Sequence, residues 1–134
     1  MTGVAIVDYH IAKQKAALGD VDGAIELSRT VVDDQFELGG LTWSIPVTGI
    51  LVESLLTRNA EGDVQEARAA IDRLAAVPAD PRLVLRDLPL LRLRALVARA
   101  EGDENGYREF ADRYRELASD LGFEAHMAIA EAMT

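Results

Sequence analysis

At 134 residues, with a formal charge of -9 and no cysteine, the chain is long enough to build one hydrophobic core unaided and has neither thiolate chemistry nor sulfur-ligated zinc available to it. Hydrophobic residues make up 49% of it but aromatics only 5%, so the core must come from Leu, Val, Ile and Ala, which suits closely packed helices. The acidic balance argues against a general affinity for nucleic-acid phosphates, and the lack of a basic apolar leader or an apolar run of about 18 residues argues against secretion and membrane spanning, leaving a reducing cytoplasm as the expected setting.

In chain order, the first expected helix covers about residues 3–18, with Val4, Val7, Ile11 and Leu18 at helical spacing as its core stripe. The second, about 21–38, carries Ile25, Val32 and Phe36 and stops at Gly39-Gly40. Trp43 falls in the connection that follows, either as an anchor for a partner or as a lid folded over the core. Ser44 is expected to cap a third helix, about 45–60, with Pro46 in its first turn; the β-like fragment Thr42 to Val47 is too short and too close to Pro46 to make a strand. A fourth helix, about 64–77, ends at Pro78-Ala79-Asp80-Pro81. Asp87 is expected to cap a fifth, about 88–100, with Pro89 in its first turn. The sixth, about 104–121, has Phe110, Tyr114, Leu117 and Leu121 as its stripe, and a tail helix over 123–133 places Phe123, Met127, Ala130 and Met133 on one side as a cap.

Three of the connections share one pattern: Leu18-Gly19-Asp20-Val21-Asp22-Gly23-Ala24, Glu61-Gly62-Asp63-Val64-Gln65-Glu66-Ala67 and Glu101-Gly102-Asp103-Glu104-Asn105-Gly106-Tyr107. The glycines stand 43 and 40 residues apart, a period that fits two helices and their connections. Glycine takes the left-handed conformation that ends one helix, and the aspartate accepts from the free N–H groups that begin the next. Four residues after each aspartate comes a packing position. It is Ala24 and Ala67 in the first two copies, where a small side chain lets the helices approach, and Tyr107 in the third, where the hairpin must open or turn the ring outward.

With these turns in place, the chain resembles tetratricopeptide repeats, whose turn reads Gly-Asp-Tyr-x-x-Ala, over residues 3 to 121. The resemblance implies an all-α, right-handed superhelix of three hairpins (about 3–38, 45–77 and 88–121) with a C-terminal capping helix (123–133), forming a single domain over 1–134. Repeats of this greater length resemble those in the carboxy-terminal superhelices of large bacterial signalling ATPases and regulators. The ending from Leu121 to Met133 is similar to that of actinobacterial multidomain adenylyl cyclases. That likeness implies a regulatory tail with no catalytic residue to carry over.

The residues themselves offer no enzyme. Lys13 and Lys15 have no phosphate-binding glycine loop before them, and Ser28, Ser44, Ser54 and Ser119 have no His and Asp at a suggestive spacing. His10 and His126 lie near opposite ends of the chain, and Asp33-Asp34 with Glu37 reads as a solvated face, so no metal and no cofactor is expected. Binding is the expected function, to a protein partner or a second copy, with no role for nucleic acid or membrane. The alternative is a metabolite sensor that holds its ligand in the superhelix groove. Asp8, Lys15, Thr48, Leu55, Arg58, Arg92 and Arg99 are the candidates to line that groove, and Lys15, Trp43, Arg58, Arg92 and Arg99 are the candidate partner-binding residues, with arginine favoured for its carboxylate-matching fork. From Arg82 to Arg99 five arginines face one acid, Asp87. They form either a docking stripe or a set of snorkelling side chains paired with acids on neighbouring helices.

Overall fold

The computed structural model describes residues 5–38, 41–77 and 84–133, and all the regular structure among them is helical. In order these are α1 (Ala5–Ala17), α2 (Val21–Glu37), α3 (Leu41–Arg58), α4 (Asp63–Ala75), α5 (Val84–Ala100), α6 (Glu104–Leu121) and α7 (Glu124–Ala132). They fall into two compact units, residues 1–76 with α1 to α4 and residues 77–134 with α5 to α7. In the first, each helix packs on its neighbour in sequence and α1 also reaches α3; in the second, α6 packs against both α5 and α7. The terminators at Gly39-Gly40 and Pro78 to Pro81, together with Val4 and Arg82, lie outside the described residues.

Two helix starts differ from expectation. Helix α3 begins at Leu41, so Trp43 is helical, Ser44 is a buried helical residue and not a cap, and Pro46 is the sixth residue of the helix. Helix α5 begins at Val84, which places Asp87 and Pro89 inside it. An internal proline forfeits one hydrogen bond and crowds the carbonyl four residues back, a penalty of about 3 kcal/mol. Burial of a Val or Leu side chain returns roughly 1.5–3 kcal/mol. Val47, Leu51, Val52 and Leu55 in α3, and Leu88, Leu90 and Leu93 in α5, are all buried, so packing outweighs the proline.

The three Gly-Asp turns are not equivalent. In the first and third, Gly19 (φ 88°) and Gly102 (φ 78°) close a Schellman motif: the Asp20 amide donates to the Lys15 carbonyl and the Asp103 amide to that of Ala98, both at 2.8 Å. Asp20 and Asp103 then cap α2 and α6 by accepting from the Gly23 and Gly106 amides, at 3.1 and 2.9 Å. A Cβ at either glycine would press on the capping carboxylate, which would have to shift to make room. The middle copy has Glu66 at the equivalent position and is built differently. Asn59 (φ 49°) ends α3 two residues sooner than expected, Gly62 (φ 86°) precedes α4 without a side-chain cap, and Asp63 turns back to accept from the Ala60 amide at 2.9 Å.

The core of the first unit combines Ala12, Ala24, Ile25, Val31 and Val32 with Leu51, Leu55, Ala67, Ile71 and Leu74. That of the second gathers Leu88, Tyr114, Ala118 and Ala130, with Leu91, Leu117, Leu121 and Met133 packed around them. Ala24 and Ala67 are fully buried at the packing positions of their turns, whereas Tyr107 is half-buried.

The expected core stripe of α1 is overturned. Val7, Ile11 and Leu18 are 54%, 41% and 77% exposed, and the face turned inward is that of Ala12, fully buried, with Tyr9 and Ala16 half-buried beside it. At about 100° per residue these are opposite sides of one helix. Both are apolar, so periodicity alone does not say which faces the core. The tail helix agrees only in part: Ala130 is buried and Met133 packs on the core, but Phe123 and Met127 are each 36% exposed.

Candidate functional site

The exposed side of α1 carries Val7, Ile11 and Leu18, with the exposed Gln14 between the last two. Its orientation is fixed from behind: Trp43, in the first turn of α3, packs on the Tyr9 ring at 5.4 Å between centroids and a 43° tilt. Trp43 is half-buried, with its ring against Tyr9. With Tyr9 held inward, Val7, Ile11 and Leu18 line up along the outer surface within about 40° of arc. Asp8 and Lys15 flank this stripe along one edge, two turns apart; Lys15 also reaches Asp20 at 3.2 Å. The Gly23 amide, followed by that cation, holds the Asp20 carboxyl below the usual carboxylate range.

Arg58 is engaged within the fold. Its guanidinium makes a two-pronged pair with Asp63, at 2.7 and 2.8 Å, and reaches Asp22 on α2 at 3.0 Å. The Arg58 bonds, followed by the Ala60 amide, bring the Asp63 carboxyl down to about 2 against its burial, and the guanidinium is held charged in return. Parallel links run from α2 to α4: Arg29 to Glu66 by two bonds of 2.8 Å, and Arg73 to Asp33 at 2.6 Å, with the Arg73 guanidinium lying over the Phe36 ring at 4.3 Å. Arg29, Arg58 and Arg73 thus tie α2, α3 and α4 together, and the Asp33 carboxylate is one of their partners. Thr48 and Leu55, expected along a groove, are fully buried in the core; each sits on the α3 face that the flanking helices cover.

In the second unit, buried Arg86 bonds to the Val77 carbonyl at 2.7 Å and to Asp87. Arg92 is half-buried close to a Tyr114–His126 pair that ties α6 to α7 through a 2.6 Å hydrogen bond between the Tyr hydroxyl and His Nδ1. Burial raises the Tyr114 hydroxyl pKa, with Arg92 opposing, and burial lowers that of His126, with Arg92 assisting. Arg99 lies 5.0 Å over the Tyr107 ring, and the Tyr107 hydroxyl donates to the Met133 carbonyl at 2.8 Å. These residues wall a cleft of about 520 Å³ with Arg108, Ala111 and Arg115 of α6. Arg108 and Arg115 escaped the sequence reading; the signal that could have found them was Tyr107 standing where the other turns have alanine.

Lys15 and Trp43 therefore lie at or behind the α1 face, Arg58 is an internal clasp, and Arg92 and Arg99 belong to different parts of the second unit. No group of three or more His, Asp or Glu side chains able to hold a metal ion occurs among the described residues, nor is any helix among them long and apolar enough to cross a membrane. Comparison with family models, with curated proteins and with solved structures gives no match, so the functional reading rests on the residues themselves.

Proposed function

We propose that the chain is a non-catalytic interaction module that self-associates through α1. The observation that carries this reading is the exposed Val7, Ile11 and Leu18 stripe, held outward by the Tyr9–Trp43 contact. A second copy is the occupant that the flanking charges favour. In an antiparallel pairing centred near Ile11, Asp8 of each copy meets Lys15 of the other, the self-complementarity required of a two-fold interface. One pair of short helices covers less than the roughly 1,200–2,000 Å² of a stable complex, so the association is weak and concentration-dependent.

The tetratricopeptide-like superhelix, a single domain over 1–134, and a role as the regulatory tail of a bacterial cyclase or ATPase signalling protein are part of the same proposal. Left-handed glycines at the three matching turn positions, Gly19, Gly62 and Gly102, support the first, and the likeness of Leu121 to Met133 supports the last. Light scattering across a concentration series should show a mass rising from 14.6 kDa towards twice that value. Ile11→Glu and Leu18→Glu should each hold the chain at the monomer mass, because a charge in the seam would be buried unpaired. A wild-type mass that never rises would sink the self-association reading.

A further inference from the structure

We infer that the cleft of the second unit is a binding site for a small amphipathic anion, a phosphate or carboxylate head on an apolar or aromatic body. It shares no residue with the α1 face. Three guanidiniums, Arg99, Arg108 and Arg115, line it against two carboxylates, Glu104 and Asp112. Of these acids, Asp112 already pairs with Arg115 at 3.2 Å, while Arg108 makes no ion pair among the described residues. In a chain of formal charge -9, this is a local excess of cations around a concave surface. Glu104, Arg108, Ala111 and Arg115 recur along one side of α6, so both arginines border the same hollow. Its floor is apolar: the Tyr107 ring, the buried Ala111 and Met133.

The departure from the repeat is what makes the cleft. At the matching position the other turns carry Ala24 and Ala67, both fully buried between helices, and their hairpins close over them. Tyr107 is only half-buried there: its ring lies beneath Arg99 and its hydroxyl is fastened to the Met133 carbonyl, so α5, α6 and the end of α7 meet around it. A residue that breaks a repeat rule and in doing so assembles a cation-lined hollow marks a site and not a flaw in packing. Guanidiniums supply the forked donors that a phosphate or carboxylate needs, and Arg99 stacked on the ring is pre-oriented for it.

Amide NMR of the full chain, titrated with phenyl phosphate, benzoate, inorganic phosphate and benzylamine, tests this. Phenyl phosphate or benzoate should shift the Gly102, Arg108 and Arg115 amides saturably, and the tighter of the two identifies the preferred head group. Inorganic phosphate should bind at least about tenfold more weakly, and benzylamine should leave these amides unmoved. Arg108→Ala and Tyr107→Ala should each weaken binding by about tenfold or more, the second while restoring the residue type of the other two turns, and the amide spectrum itself reports that each variant is folded. Ile11→Glu should leave the titration unchanged, whatever it does to self-association. The site is overturned if neither aromatic anion gives saturable shifts, if inorganic phosphate binds as tightly as phenyl phosphate, if benzylamine moves the same amides, or if binding survives Arg108→Ala.

Discussion

Arg58 and Asp63 illustrate how much a single pair contributes when its geometry is closed on all sides. The Asp63 carboxylate is buried, receives both prongs of the guanidinium and the Ala60 amide, and has its pKa brought from 3.8 to about 2. A carboxyl depressed in the folded state adds stability that is fully present above its unfolded value and is lost as pH falls through the folded one. Acid unfolding of the first unit should therefore steepen between pH 3.8 and about 2, and thermal melts of Asp63→Asn should show a lower melting temperature at neutral pH without that acid-dependent component. Two other buried side chains point the opposite way. The Ser28 and Thr48 hydroxyls are enclosed with no hydrogen-bond partner, a state that costs roughly 1–3 kcal/mol each. Thr48→Val keeps the shape and removes the orphan, so its urea midpoint should rise by the equivalent of about 1 kcal/mol. A fall would mean that the hydroxyl is bonded after all.

At the scale of the element, the hold of α7 on α6 responds to mild acid through His126. His126, hydrogen-bonded through Nδ1 to the Tyr114 hydroxyl, has its pKa held below 6.5 by burial, with the Arg92 charge assisting. Here the neutral form is the one the fold prefers, so the contribution is complete above pH 6.5 and declines as pH falls from there through the lowered folded value. Hydrogen exchange of the Ala130 amide should accelerate over that interval, and His126→Phe should flatten the response. Equal protection of Ala130 at pH 7 and pH 5 would contradict this. How legible the elements were follows the same physics. The identity of the helices and the sixth helix's bounds could be read because terminators and periodicity agreed there. The starts of α3 and α5 could not, since Pro46 and Pro89 resemble first-turn residues until the packing behind them is known. The α1 face was misread because Ala12 with Tyr9, and Val7 with Ile11, offer two apolar sides of one helix. Of the site, Arg99 was visible in sequence. Arg108 and Arg115 were not, because their meaning depends on where Tyr107 turns.

For the molecule as a whole, the charge of -9 sets how copies meet. Two such bodies repel, and added salt screens that repulsion over a Debye length of about 8–10 Å at physiological strength while leaving apolar contact intact. The two Asp8–Lys15 pairs are screened as well but contribute little beside this repulsion, so self-association through α1 should strengthen as salt rises, read by sedimentation at fixed protein concentration; weakening with salt would mean that those pairs and not the apolar stripe carry the contact. The two outer turns carry one further consequence. The segments around Gly19-Asp20 and Gly102-Asp103 use the same left-handed stop, the same capping aspartate and the same tightly fitted glycine three residues on, whereas the middle turn solves the problem with Asn59 and a back-turned Asp63. The outer turns are therefore built to one geometry and the middle one to another, so loss of the capping carboxylate at Asp20 or Asp103 should free the same amide, three residues on, at both places.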